Sequence, residues 1–323
     1  MKRLTLILAL TALVILLFAA SLTAGKTWIP PSAWFTSDPR WWIITELRLP
    51  RAILGAVIGA ALGLSGAVLQ GYLRNPLADP TVVGVSSTAA LGAVAMIVVF
   101  GATAPLVVFA GAMASACASM LLLAGLAWGQ QGSVGFILAG TVLATLSAAL
   151  TAFLISIAPN PYATAEIIDW IMGSLTDRSF AEVQLATPFI AIGCVLLLCT
   201  GRALDALSLG EAAARSLGVR LGRVQLLIVA GAGLAVGASV AVTGVVGFVG
   251  LIVPHLLRPL AGARPAALLL PSALGGAALV LAADSLVRIG PGAGEIRLGV
   301  AMALLGAPFF FALLLRMRRS AWI

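Results

Sequence analysis

The chain has 323 residues, of which 61% are hydrophobic and only 9% charged, with a formal net charge of +8. A soluble domain carries roughly 25% charged residues, so this composition excludes a soluble enzyme, a disordered chain and a nucleic-acid binder. The arginines stand singly or in small groups between apolar blocks, a topology signal rather than a phosphate-binding stripe, and the fold class read from them is an all-α polytopic membrane protein.

A spanning helix needs about 20 mostly apolar residues. In chain order such stretches fall at about 4–24, 52–71, 82–100, 105–128, 134–157, 185–201, 224–243, 245–257, 266–286 and 298–315. These ten spans make one transmembrane domain over residues 1–323, with five spans in 4–157, five in 185–315 and a polar region at 205–223. The eighth is short. The first follows Lys2 and Arg3, and its apolar run from Leu4 to Ala20 exceeds the 7–15 residues of a signal-peptide core, so it is expected to remain as a spanning helix. Alternating strand patterns of about ten residues do not recur, which disfavours a lipid-embedded barrel.

With the N-terminus inside, twelve Lys and Arg residues fall on inner segments and seven (Lys26, Arg40, Arg48, Arg51, Arg178, Arg288 and Arg297) on outer ones, so both termini are expected in the cytoplasm. Five spans in each half place the halves in opposite orientations. Ala61–Val68 faintly echoes Ser239–Val246, as an inverted-repeat transporter would.

Other chemistries lack their residues. His255 is the single histidine, and Cys117, Cys194 and Cys199 lie in apolar runs without a C-x-x-C spacing, so no catalytic triad, disulfide or metal site is expected. Gly25, Lys26 and Thr27 mimic the end of a phosphate-binding loop, but Ala20 occupies the place of its first glycine and a spanning helix precedes it. No Asp or Glu falls in the interior of a proposed span, which argues against an ion-coupled carrier. The chain is therefore expected to have no catalytic residue or ATPase site, and to draw energy through a partner.

Three stretches go beyond generic hydrophobicity. The first runs through Leu47–Arg51, Gly59–Gly71 and Arg74–Pro80. The second joins Leu209–Val219 to Val246–Arg258, and the third joins Ala283–Arg288 to Leu304–Phe311. In this order and spacing, from about residue 3 to 318, the chain resembles the iron-chelate and vitamin B12 permease family of ABC importers. The resemblance implies an inverted-repeat type II importer permease of ten helices that pairs with a second permease subunit, as a homodimer or with a paralogue. Two cytoplasmic ABC ATPase subunits carrying the ATP and Mg, and a periplasmic or lipid-anchored substrate-binding protein, are the other implied partners. No cofactor is implied for this chain itself, and its implied location is the bacterial inner membrane. The implied cargo is a ferric siderophore or haem, with cobalamin as the alternative.

Residue roles carry over position by position. Arg48 and Arg51, three apart on a helical face, and Arg288 match arginines that dock the binding protein; snorkelling to lipid headgroups is the alternative. Leu209, Gly210, Glu211, Ala212, Ala213, Arg215, Leu217 and Gly218 match the helix that couples to the ATPase, with Gly218 ending it in a left-handed turn; an unpartnered surface helix is the alternative. Asn75, Pro76 and Leu77, with the turn from Gly129 to Ser133, match the cytoplasmic gate or are plain helix-ending turns. Trp170, Gly173 and Ser174 match an element at the cavity mouth, although Trp170 also suits an aromatic belt. Gly244 and Gly247 suit either close helix packing or a bending point in the path.

Overall fold

The computed structural model describes residues 3–320 apart from 37, 82, 103, 128–132, 263 and 291–294. Helices follow in chain order: α1 (Arg3–Thr23), α2 (Pro39–Trp42), α3 (Leu49–Leu73), α4 (Val85–Phe100), α5 (Pro105–Ala127), α6 (Ser133–Ser156), α7 (Pro161–Ile171), α8 (Phe180–Leu198), α9 (Gly201–Leu207), α10 (Glu211–Ser216), α11 (Leu221–Thr243), α12 (Val249–Ala261), α13 (Pro265–Ile289) and α14 (Leu298–Ser320). Ten of these coincide with the ten expected spans. Among the described residues seven helical stretches are long and apolar enough to cross a membrane, while α4, α12 and the Leu298–Leu313 part of α14 are shorter apolar helices.

Local chemistry sets the ends. Pro50 sits in the first turn of α3, where no N–H is needed, and Arg74 closes that helix with φ 50°. Ser179 and Glu182 form a reciprocal capping box on α8. The expected eighth span begins later than its hydropathy suggests, because Gly244–Phe248 is not helical and α12 starts at Val249. With 13 and 16 residues, α12 and α4 rise only about 20 and 24 Å, short of a ~30 Å hydrocarbon core. Both therefore begin within the bundle, where non-helical backbone is tolerated because protein surrounds it.

Helices α3 and α11 are the buried centre, whereas α1 and α6 keep most of their surface outward. Glycines allow the closest approaches. On α3, Gly59 lies against the backbone of Gly276, Gly63 against that of Ser272 on α13, and Gly66 against Gly250 on α12. Small residues at helix crossings let backbones meet where lipid supplies no hydrophobic drive. The faint internal echo does not mark equivalent positions: Ala61–Val68 lies inside α3, while Ser239–Val246 runs off the end of α11. What recurs is a long helix, a break and a half-depth helix.

Candidate functional site: a mid-depth cavity, a buried ion network and an exposed coupling turn

The breaks before α4 and α12 meet one another. A cavity of about 540 Å³ is lined by Leu77, Asp79, Met172, Val245, Gly247 and Phe248, among others. Its wall is tied by backbone contacts: Ser174 N–H donates to Thr243 O at 2.7 Å, and Gly299 N–H to Gly173 O at 3.1 Å. Gly173 (φ +73°) lies on the Val245 carbonyl and Gly244 (φ +71°) on the Trp170 carbonyl, contacts that leave no room for a Cβ. Leu77, Gly173, Ser174, Gly244 and Gly247, expected from separate parts of the sequence, thus converge. Trp170, partly buried, lines a neighbouring cavity of about 120 Å³ with Glu166, Arg178 and Glu182.

The turn after α3 is built by Asn75, whose Oδ1 accepts from Leu77 N–H at 2.9 Å, with Pro76 between them. Gly129–Gly132 lies outside the described residues, and Ser133, the first residue of α6, has no described side chain. Asp79 was not assigned a role from the sequence, yet it anchors this turn. Only 7% exposed, it accepts from Thr81 N–H at 3.0 Å, from Thr81 Oγ1 at 2.7 Å and from the Leu251 N–H in the first turn of α12. A carboxylate there shares the Leu251 N–H with the Phe248 carbonyl and meets the positive end of the helix dipole. Gln70 extends the connection, donating from Nε2 to Gly250 O at 3.1 Å and accepting from Arg258 Nη2 at 2.8 Å. Hydrogen bonds thus tie both the end of α3 and the α3–α4 turn to α12.

Asp79→Ala is expected to free that turn. Leaving buried donors unpaired costs about 1–3 kcal/mol. In an Asp79→Ala background, Leu77→Cys should react faster with a water-soluble maleimide than in the parent; equal labelling rates would refute the anchoring role.

The three arginines expected to dock the binding protein are held by the chain itself. Arg48, Arg51 and Arg288 are 6%, 8% and 3% exposed, because each guanidinium finds acceptors inside the chain. Arg48 donates to the carbonyls of Leu22, Thr23 and Thr27 at 2.7–3.1 Å, closing the end of α1. Arg51 reaches Asp284 at 2.9 Å and Glu295 at 2.8 Å. Arg288 pairs with the same Asp284 at 3.0 Å and donates to Ser21 Oγ and to Ala24 O. The shared helical face of Arg48 and Arg51 does not bring them to one partner. Asp284 corrects a further expectation, since this carboxylate lies within α13 and is 1% exposed. Burial pushes the Glu295 carboxyl up, but the Arg51 hydrogen bond and charge outweigh it and hold it below the usual glutamate range. Its contribution is complete above the ordinary glutamate pKa and lost as pH falls through the lower folded value.

Many of the cations at this end of the bundle are therefore met by acceptors of the chain itself. Counted by chain order, seven cations share that end with eight carboxylates, while twelve at the other end meet only Asp205, Glu211 and the buried Asp79. Arg40 pairs with Asp38 at 2.6 Å and Arg297 with Asp169 at 2.8 Å, whereas the buried Arg178 Nε has no hydrogen-bond partner among the described residues. Arg40 also holds the Asp38 carboxyl down at about 2.

At the opposite end, α10 is a six-residue helix entered through Gly210 (φ +100°). Gly218 N–H donates to Arg215 O at 2.9 Å and Val219 N–H to Ala214 O at 3.0 Å, a Schellman closure with Gly218 at φ +83°. Arg215 approaches Glu211 at only 3.9 Å. Leu209 and Leu217 are 69% and 65% exposed and Ala212 is exposed, while Ala214 faces inward. An apolar face without a cover in a short, rigidly closed helix is suited to insertion into a partner.

A helical bundle with two short apolar helices beside a cavity, and an exposed turn at one end, has the features of a membrane transport subunit. The chain matches the FecCD transport family over residues 13–316 and belongs to that family; it is a permease of an ABC importer. It is 41% identical over 283 residues to the cobalamin import system permease protein BtuC of Halobacterium salinarum, covering 84% of this chain and 73% of that relative. It is 37% identical over 290 residues to the hemin transport system permease protein HmuU of Yersinia pestis, covering 88% and 86%. Its fold matches a solved metal-chelate type ABC transporter in an inward-facing conformation with TM-score 0.86 and 31% identity, covering 97% of this chain and 99% of that one.

Proposed function

We propose that the chain is the conduit of an ATP-driven importer for a ferric chelate, a siderophore or haem. It would work in the bacterial inner membrane with both termini in the cytoplasm, as a homodimer on two ATPase subunits that carry the ATP and Mg, fed by a substrate-binding protein. The observation that carries this reading is the apolar cavity where Leu77, Gly247 and Phe248 meet. Its few polar groups are engaged internally, Asp79 by Thr81 and Leu251, so the wall offers a bulky chelate weak contacts and easy release. Leu209, Glu211 and Gly218 would seat the ATPase, and the Asn75–Leu77 turn, held on α12, would form the inner gate. The buried arginines would shape the outer loops that the binding protein meets. Cobalamin is the second reading, favoured by the name of the Halobacterium relative.

Reconstitution in liposomes with the ATPase subunits and binding protein tests both readings. Uptake of ferric siderophore or haemin should require ATP and survive an uncoupler, and cobalamin uptake alone would select the second reading. Gly218→Val should leave ATP hydrolysis running while uptake falls, since a β-branched residue at φ +83° cannot keep the closing turn. Uphill uptake by this chain without ATPase subunits would defeat the proposal.

A further inference from the structure

Beside the coupling turn the bundle holds a second cavity, of about 530 Å³, between the end of α8 and the start of α11. Arg202, Arg220 and Arg223 all line it, and its remaining wall is apolar, including Ala203, Ala206, Leu217, Val224 and Leu227. The three arginines are exposed, and among the described residues their side chains make no hydrogen bond or ion pair. Neighbouring charges are committed elsewhere. Asp205 on the same short helix α9 accepts from Ala266 N–H at 2.8 Å and pairs with Arg264 at 3.4 Å, and Glu211 faces Arg215. No carboxylate lines the cavity. The spanning helices bounding it end at Leu198 and begin at Leu221, which puts the arginines at the polar boundary of the bilayer and Leu227 one turn deeper.

Three unneutralised guanidinium groups over an apolar wall at that depth match one ligand chemistry, a phosphate at the head of an acyl chain. Guanidinium forks bind phosphate oxygens in pairs, and basic pockets between spanning helices accommodate anionic headgroups. We propose that this cavity is a binding site for an anionic phospholipid, with the phosphate on Arg202, Arg220 and Arg223 and an acyl chain along Leu227. Leu217 and Gly218 share the cavity wall, so a bound lipid braces the turn through which the ATPase is engaged. The proposal is independent of the cargo.

The full chain, purified in detergent and incubated with phosphatidylglycerol or phosphatidylcholine, is examined by native mass spectrometry. Wild type should retain phosphatidylglycerol in preference to phosphatidylcholine. Arg202→Gln with Arg220→Gln and Arg223→Gln should lose that preference by roughly tenfold or more. Ala203→Trp fills the cavity without changing charge and should lose it too, while Arg40→Gln at the other end should not. Gel filtration and circular dichroism verify that each variant is folded. Equal phosphatidylglycerol retention by wild type and folded variants overturns the proposal. So does unchanged phosphatidylglycerol retention by the folded triple variant when that variant, co-expressed with the ATPase subunits, fails to co-purify them, which would make the cavity a protein interface.

Discussion

Asp284→Ala should destabilise the chain by about 3–5 kcal/mol, the cost of removing one partner from a buried ion pair. The size follows from what stays behind. Asp284 is 1% exposed and accepts from both Arg51 and Arg288, at 2.9 and 3.0 Å. Without it two guanidinium groups face each other in a dry site, and Glu295 can meet only Arg51. Unfolding in mixed detergent micelles measures the loss, and a change below about 1 kcal/mol would show that the network contributes little. A second arm separates charge from packing. Combining Asp284→Ala with Arg51→Met and Arg288→Met removes all three charges at similar volume and should recover most of the stability, as apolar replacement of buried charge groups often does. Arg51→Glu should fail in the same assay, before any partner docks, because it sets a third carboxylate beside Asp284 and Glu295.

Gly63→Val should also be strongly damaging, with a different signature. A Cβ at Gly63 collides with the backbone carbonyl of Ser272, which cannot turn aside as a side chain would. The α3–α13 contact must open, and overpacking of this kind costs about 1–3 kcal/mol or more. Expression should fall and proteolysis between spans should rise. Gly222→Val is the matched control, since Gly222 is also helical but has nothing within 4 Å of its Cβ position. Equal behaviour of the two variants would mean that close backbone approach is not what holds these helices together.

The spans were legible because transfer from water to lipid depends on the summed apolarity of about 20 consecutive residues, which is a local property. The coupling turn was legible for a similar reason. Glu211 to Gly218 closes on itself through contacts no more than five residues apart. The two half-depth helices were only partly visible. Hydropathy continues through Gly244–Phe248, so the sequence reading starts the eighth span at 245; the structure keeps 244–248 non-helical, where Gly244 and Gly173 approach opposing carbonyls.

The fate of the charged groups was not legible. Arg51 meets a carboxylate 233 positions away and Arg288 a serine 267 away, and no spacing rule reaches that far. The order of residues by itself determined a multi-span helical permease, because membrane insertion and local turn closure read short stretches of chain. Only the tertiary structure decided that Arg48, Arg51 and Arg288 are tied internally, that Asp79 holds the α3–α4 turn on α12, and that Arg202, Arg220 and Arg223 share one open cavity. A charged group is free or satisfied according to which acceptors the packed helices bring within about 3 Å, and that is a property of the assembled bundle.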